Sequence, residues 1–353
     1  MNSRPIKMRN LASELPIVQG GMGIGISLGN LAGAVAEAGG IGVISAAQIG
    51  YRDAQFYQNP VQANLNAIHK EYQKARMKAP KGVIGFNIMV AMKHYKEYVL
   101  EAIKAGTDFI ISGAGLPTEL PKYTQGTNVK IAPIVSTNKA AKVILKYWHK
   151  HYNRTADMVI VEGPEAGGHL GFHVEQLEMF TQETYKEEIK AIQNTVQEYA
   201  RKFGYHIPII VAGGINSREK MEYYMNLGID GIQIATPFVT THECDASIEF
   251  KQAYINSQKE DITIIKSPVG MPGRAIKNSF TSRILQGERM PPTQCLGCLQ
   301  KCNPKEIPYC ITEALIHTAQ GNIEEGLLFC GQKAYLETRI RSVKEVIANY
   351  LGN

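Results

Sequence analysis

The sequence contains no stretch of about 18 consecutive uncharged apolar residues, the length that a membrane-spanning helix requires. Its first residues also lack the unbroken apolar run of a signal peptide. The formal net charge of +6 is spread along the chain without a long lysine or arginine run, so a nucleic-acid-binding surface is not indicated. We therefore expect a cytoplasmic protein with neither a membrane nor a nucleic-acid partner.

Cysteine is scarce, with six residues in 353, and the six are unevenly distributed along the chain. Cys295, Cys298, Cys302 and Cys310 lie close together, which in an intracellular chain favours metal or redox chemistry over a disulfide framework. Four thiolates suit an iron–sulfur cluster or zinc, although the spacing is neither that of a ferredoxin nor that of a zinc ribbon with two CxxC pairs. We predict a metal site there, with free or redox-switching thiols as the alternative.

The composition is that of a folded chain, with 44% hydrophobic and 20% charged residues. Eight short runs rich in Val and Ile alternate with segments of helical period such as Asn138–His149, a pattern that predicts a parallel sheet. The nearly continuous apolar character of the runs favours a closed (β/α)8 barrel over an open doubly wound sheet. The predicted strands are Ile17–Gln19, Ile41–Ser45, Val83–Ile88, Phe109–Ser112, Ile131–Val135, Met158–Glu162, Ile207–Ala212 and Gly231–Ala235.

Two segments lie outside the repeat. The first, Tyr51–Ala79, is a polar excursion that we expect to be helical. The second follows the eighth strand, so we divide the chain into a barrel of residues 1–261 and an extension of residues 262–353. The extension carries the cysteines and a predicted final helix of about Lys333–Tyr350, and we expect it to form a lid or small subdomain packed on the barrel mouth.

A glycine-rich loop, Gly20–Gly25, follows the first predicted strand. It does not match the dinucleotide-binding pattern GxGxxG, because the third glycine is replaced by Ile26 in one register and by Leu28 in the other. Such a loop lets the backbone approach a flat ligand, or it simply forms a tight turn.

Polar side chains follow two other strands. Asn87 stands near the end of the third strand, where its amide can bind the edge of a ring or cap a helix. His169 follows the sixth strand in Glu162–Gly171, beside two glycines and after two acidic residues. Because residues after the strands of a barrel meet at one mouth and histidine titrates near neutral pH, we predict that His169 is catalytic rather than a surface residue.

The loops after the seventh and eighth strands suit a phosphate. Gly213 and Gly214 expose backbone N–H groups, while Thr236 offers a hydroxyl group near a helix start. The alternative is that these glycines only ease a turn from strand to helix. We predict a phosphate site between the two loops.

These loops together resemble the nitronate monooxygenase family and its relative, the FMN-containing enoyl-[acyl-carrier-protein] reductase. The resemblance covers most of Pro16–Asn278 and rests on PIVQGGMG, LAGAVAEAGGIGVI, GFNIM, GAGLP, EGPEAGGHLG, PIIVAGGI, GIQIATPF and GRAIKN. It implies bound FMN and identifies His169 as the catalytic histidine. It places Gly21, Met22 and Gly23 against the flavin ring, Asn87 at its polar edge, Glu162 beside the flavin or orienting its loop, and Gly167, Gly168, Gly213, Gly214, Gln233, Ala235 and Thr236 around the ribityl phosphate.

The resemblance leaves two activities open. The first is oxidation of an alkyl nitronate with O2, and the alternative is reduction of an enoyl thioester with NAD(P)H as co-substrate. The tail that carries Cys295–Cys310 is not part of the core family pattern, and the run Gly270–Asn278 is closer to the reductase branch. Arg274 and Lys277 in this run either meet a phosphate or lie on a solvated basic helix. A third interpretation is a binding protein rather than an enzyme, namely a non-redox barrel that binds a phosphate ligand. The partners that these readings imply are a small-molecule substrate, an acyl-carrier or electron-carrier protein, and a second copy in a homodimer.

Overall fold

The computed structural model describes residues 5–352, and within them fourteen strands form three sheets. The strands are β1 (Lys7–Met8), β2 (Leu11–Ala12), β3 (Ile17–Gln19), β4 (Ile41–Ser45), β5 (Val83–Asn87), β6 (Phe109–Ser112), β7 (Lys130–Val135), β8 (Val159–Glu162), β9 (Gly168–His169), β10 (Ile209–Ala212), β11 (Gly231–Ile234), β12 (Ile262–Lys266), β13 (Pro272–Ile276) and β14 (Leu328–Phe329).

Eight parallel strands close a barrel in the order β10, β11, β3, β4, β5, β6, β7 and β8. This confirms the predicted (β/α)8 fold, and each predicted strand is present with ends that differ by no more than two residues. The largest difference is at β10, which begins at Ile209 rather than Ile207. Pro208 stands between them and has no N–H to donate to a sheet.

Helices follow the barrel strands, and further helices belong to the extension. They are α1 (Gly29–Glu37), α2 (Pro60–Lys78), α3 (Tyr95–Ala105), α4 (Leu120–Tyr123), α5 (Asn138–Tyr152), α6 (Val174–Met179), α7 (Gln182–Phe203), α8 (Arg218–Asn226), α9 (Thr236–Val239), α10 (Ile248–Asn256), α11 (Ser279–Leu285), α12 (Ile311–Ala319) and α13 (Val343–Leu351). The predicted helical excursion Tyr51–Ala79 is helical only from Pro60 on, where Asn59 caps α2 by accepting from the Gln62 N–H at 3.2 Å. None of the helices within residues 5–352 is long and apolar enough to cross a membrane.

The barrel interior is filled by alternate side chains of its strands. Val18, Val43, Ile111 and Ile160 are buried there in one apolar cluster. The antiparallel pair β1–β2 adds Met8 to the same cluster, and Leu11 packs against it. The interior is therefore a packed core, which leaves the loops after the strands as the place for a ligand.

The extension is built around a small sheet. β12 and β13 form an antiparallel hairpin, and β13 also pairs with β14 and with β9 from the barrel loop. The run that contains Arg274 is thus a strand, and the expectation of a solvated basic helix there is wrong. A residue in this strand is hidden from water by its sheet neighbours, and Arg274 is only 6% exposed.

The last helix begins later than predicted. Ala334–Leu336 is a turn of 3-10 helix, and α13 starts only at Val343, so the expected helix of about Lys333–Tyr350 is wrong at its first end. A reciprocal cap fixes this start, because Ser342 Oγ accepts from the Glu345 N–H at 3.1 Å while the Glu345 carboxylate accepts from the Ser342 N–H at 2.8 Å. α13 packs between α1 and α8 and so takes the eighth place in the ring of helices.

Candidate active site

A cavity of about 410 Å³ lies at the carboxyl ends of the barrel strands and is within the size range of small-molecule sites. All thirteen residues that the sequence assigned to catalysis and FMN binding line it. They are Gly21, Met22, Gly23, Asn87, Glu162, Gly167, Gly168, His169, Gly213, Gly214, Gln233, Ala235 and Thr236. The structure therefore brings these residues together, while the role of each remains a prediction.

One wall of the cavity is the glycine-rich loop after β3. A Cβ atom on Gly21 would lie 2.4 Å from the Cβ of Asn87, closer than two carbon atoms can pack. Gly21 is therefore needed for the Asn87 side chain, at the end of β5, to rest against the loop backbone. This contact places an amide beside an exposed stretch of main chain, the arrangement expected at the edge of a flat ring.

Glu162 and Gln233 lie at one level on β8 and β11, the two strands that flank β10. Both are in register with Ala212 of β10. Burial raises the pKa of the Glu162 carboxyl group to about 8, so the group is mostly protonated at neutral pH and can donate a hydrogen bond. The Oε1 atom of Gln233 is buried and has no hydrogen-bond partner among the described residues. A ligand in the cavity can therefore find both a donor and an acceptor here.

His169 is held by the extension rather than by the barrel. Its own backbone is part of β9, which pairs with β13 through Gly273, and its ring meets the Phe329 ring edge-on at a centroid distance of 4.9 Å. The Nε2 atom lies 2.7 Å from the hydroxyl oxygen of Ser267. Burial lowers the pKa of the imidazole to about 4, so the ring is neutral at physiological pH and has one nitrogen free to accept a proton.

Another part of the cavity wall combines glycine backbone with positive charge. Gly213 and Gly214 have φ angles of +101° and +65°, a conformation that favours glycine. Thr236 begins α9 close by, and Lys333 from the extension lies 3.8 Å from the Glu165 carboxylate, which also pairs with Lys220. Two lysines around one carboxylate leave a net positive charge, which suits a phosphate.

Arg274 lies directly behind the loop that carries Gly167 and Gly168. Its guanidinium donates to the carbonyl oxygens of Pro164, at 3.0 Å, and Ala166. Burial lowers its pKa, but an arginine remains charged under these conditions. The loop is thereby fixed from behind by a cation, which adds to the positive potential of this part of the cavity.

The predicted metal site is not supported. Among residues 5–352, no group of three or more His, Cys, Asp or Glu side chains is arranged to hold a metal ion. Cys295 is exposed whereas Cys310 is buried, and burial raises the pKa values of Cys298, Cys302 and Cys310. Raised thiol pKa values favour the protonated form, which is a poor metal ligand.

Sequence reasoning missed the contribution of the extension to this site. Ser267, Phe329 and Lys333 were not singled out, although Ser267 touches His169 and the other two line the cavity. No motif marks them, because they come from a hairpin turn, a two-residue strand and the position just before a turn of 3-10 helix. Glu165 was noticed only as an acidic neighbour of His169.

Comparisons of the sequence and of the structure with known proteins agree with one another. The family model described as nitronate monooxygenase matches residues 4–352. A probable nitronate monooxygenase of Staphylococcus saprophyticus is 27% identical over 299 residues, covering 77% of this chain and 78% of that protein. The structure of FabK from Thermotoga maritima is 26% identical with a TM-score of 0.73, covering 96% of this chain and 92% of FabK. A nitroalkane oxidase from Streptomyces ansochromogenes shares the fold, with 18% identity, a TM-score of 0.68 and coverage of 96% and 95%.

Proposed function

This chain belongs to the nitronate monooxygenase family and is an FMN-dependent oxidoreductase, and we propose that it oxidises alkyl nitronates in the cavity at the barrel mouth. The observation that carries the proposal is the convergence of all thirteen assigned residues on that one cavity. When bound, FMN supplies the electron acceptor, with O2 as the final oxidant and a carbonyl compound and nitrite as products.

The chemistry of the cavity lining suits both the ring and the phosphate of FMN. The unpaired Oε1 of Gln233 and the protonated carboxyl group of Glu162 offer an acceptor and a donor to the polar edge of an isoalloxazine ring. The backbone of Gly213 and Gly214, the hydroxyl group of Thr236 and the ammonium group of Lys333 surround the place where the ribityl phosphate would lie. The glycine loop at Gly21 would provide a flat wall against which the ring can lie.

His169 acts when the substrate is the neutral nitroalkane. Its neutral imidazole removes the proton from the carbon that bears the nitro group, and the electron pair of that C–H bond moves into the nitro group to form the nitronate. The resulting imidazolium lies beside the nitronate anion, and this ion pair offsets part of the cost of charging a buried ring. A substrate supplied as the nitronate has already lost this proton and does not need the base.

The chemistry also requires that an anion be tolerated in the cavity. An ionised Glu162 would repel a nitronate, whereas the protonated group does not, and Lys333 and Arg274 supply positive potential. The neutral carboxyl group thus serves substrate binding as well as the flavin.

Anaerobic rapid mixing tests the proposed activity. We expect the flavin absorbance of the purified protein to bleach with an alkyl nitronate and to recover when O2 is admitted, with nitrite released. Bleaching by NAD(P)H but not by nitronate would instead support the enoyl reductase activity, with which the likeness to FabK and the resemblance of the sequence agree. Purified protein without flavin absorbance would contradict both and leave a non-redox binding barrel.

Replacing His169 tests its role as a base separately from FMN binding. We expect His169→Ala to keep FMN but to slow turnover of a neutral nitroalkane about 100-fold, the usual scale for loss of a general base, and to change turnover of the nitronate much less. His173→Ala is the matched control, because His173 is exposed and lies only four positions away. Equal turnover of the nitroalkane by wild type and His169→Ala would remove His169 from the mechanism.

A further inference from the structure

Lys333 comes from the extension and lines the cavity together with Gly213 and Gly214. It directly precedes the turn of 3-10 helix at Ala334–Leu336. Its Nζ atom lies 3.8 Å from the Oε2 atom of Glu165, which is beyond the length of a hydrogen bond. The ammonium group is therefore attracted to this carboxylate without being hydrogen-bonded to it, and its N–H groups are not used on Glu165.

The main chain of the extension fixes where the Lys333 side chain begins. The Gln332 N–H donates to the Glu165 carbonyl oxygen at 3.2 Å. A Cβ atom on Gly331 would lie 2.6 Å from the Oγ1 atom of Thr236, so the Gly331 backbone packs closely on this hydroxyl group. These contacts join the segment before Lys333 to the loop after β8 and to the loop after β11. The extension thereby brings a lysine to the part of the cavity where a phosphate is expected.

Glu165 lies at the same part of the cavity wall. A Cβ atom on Gly214 would lie 1.9 Å from the Glu165 Oε2 atom, so this carboxylate rests directly against the glycine backbone. The same oxygen accepts a hydrogen bond from the ammonium group of Lys220, which projects from α8. The Glu165 side chain is 32% exposed, so water screens its charge only in part. A negative side chain therefore lies beside the backbone that would meet an anionic ligand.

The charges of these three side chains do not cancel. Lys220 and Lys333 each contribute one positive charge and Glu165 contributes one negative charge, which leaves one positive charge at this wall. A phosphate group carries about −1.5 to −2 charges at neutral pH. It therefore attracts the lysines more strongly than a carboxylate does, and it repels Glu165. A ligand phosphate and a carboxylate of the chain itself would thus share the same two lysines.

We propose that Lys333 binds the phosphate of FMN and makes the site select the phosphorylated flavin, and that Glu165 competes with this phosphate for the two lysines. The proposal rests on the position of the phosphate proposed above, but it does not depend on which substrate is oxidised. The extension then helps to hold the cofactor, because it supplies a cation that recognises its terminal group. Glu165 offsets one of the two positive charges and so keeps the affinity for FMN below the highest value that this wall would give.

Comparing the binding of FMN with that of riboflavin, which lacks the phosphate, isolates the contribution of this group. Flavin fluorescence measures both affinities on the full chain after its flavin has been removed by dialysis. We expect Lys333→Met to weaken FMN binding about tenfold and riboflavin binding less than about twofold. Lys333→Arg keeps the charge and should keep most of the affinity for FMN. Lys344→Met is the matched control, because Lys344 is an exposed lysine on α13 of the same extension.

Glu165→Gln tests the competition. Glutamine keeps the size of the side chain and the main-chain bond to Gln332 but removes the negative charge. We expect FMN to bind about threefold more tightly and riboflavin to bind as in wild type. A purely structural role of Glu165 would instead weaken the binding of both flavins. Raising the NaCl concentration should weaken FMN binding to wild type, and do so less in Lys333→Met, because salt screens the attraction of this lysine for the phosphate.

The outcomes separate this proposal from the proposed function. Equal weakening of FMN and riboflavin binding in Lys333→Met would overturn the role of Lys333 in phosphate recognition. Weaker FMN binding in Glu165→Gln would overturn the competition, because the carboxylate would then help to hold the phosphate. If Glu165→Gln does not fold, Glu165→Ala removes the same charge and decides the point. Failure to oxidise nitronates together with the expected affinities would refute the proposed activity and leave this proposal intact.

Discussion

Glu162→Gln should make the FMN-free protein less sensitive to alkaline pH. Burial raises the pKa of Glu162 from 4.5 to about 8, so the folded chain keeps a proton that the unfolded chain has lost. Between these values the folded state binds more protons than the unfolded state. The free energy of unfolding therefore falls as pH rises through this window, and the contribution is constant below it and above it. Glutamine is neutral throughout and removes this dependence.

The size of the effect follows from the shift. Between pH 5 and pH 8, a pKa that moves from 4.5 to about 8 changes the free energy of unfolding by about 3.5 kcal/mol. Because the Glu162 side chain is partly exposed to a cavity that water can enter, screening reduces this figure. We expect a loss of about 1.5–2 kcal/mol that is specific to Glu162.

Urea unfolding of wild type and Glu162→Gln at pH 5 and pH 8 measures this quantity. Subtracting the loss of stability of the variant from that of the wild type cancels the contributions of the other titrating groups. These include His169, whose lowered pKa affects the free energy of unfolding mainly below pH 6.5. The expected result is a wild type that loses about 1.5–2 kcal/mol more than the variant between the two pH values. Equal losses would mean that Glu162 titrates near its ordinary pKa, and the account of the cavity as a site with a neutral acid would fail.

Two further substitutions test the site and the fold. Gly21→Ala places a Cβ atom 2.4 Å from the Cβ of Asn87, so we expect the amide to be displaced and FMN to bind about tenfold more weakly by fluorescence titration, with unchanged affinity arguing against this contact. Trp148→Ala removes a side chain that is 0% exposed and donates to the Pro117 carbonyl oxygen at 2.9 Å. It should lower the free energy of unfolding by about 3–5 kcal/mol, and a loss below about 1 kcal/mol in urea would contradict the packing described.

Short-range patterns were sufficient to predict the barrel. The apolar runs at Ile41–Ser45 and Phe109–Ser112 read as strands because both faces of a barrel strand are buried, and the residues after the strands could then be assigned to a single mouth. The start of α13 was also present in the sequence, as the serine and glutamate of a capping box at Ser342 and Glu345, but the prediction extended the helix through it.

Contacts between distant parts of the chain could not be predicted in this way. Ser267 meets His169 across 98 positions, and no periodicity or motif connects them. The cysteines show the opposite failure. Their closeness in sequence suggested that the cysteines bind a common ion. The Cys298 carbonyl oxygen instead accepts from the Lys93 N–H at 3.1 Å, while Cys310 is the N-cap residue of α12. Their surroundings are set by those partners, and spacing alone does not report them.

The position of α13 has a consequence for how the chain can be divided. Because α13 fills the gap between α1 and α8 in the helical ring, the segment from Thr240 to Ser342 is topologically an insertion between the last barrel strand and its helix. A chain truncated after residue 261 would expose the apolar strips that Val346 and Ile347 now cover. Shortening or exchanging the insertion while keeping α13 is therefore the better route to a minimal barrel, and related chains are free to vary this insertion without reopening the ring.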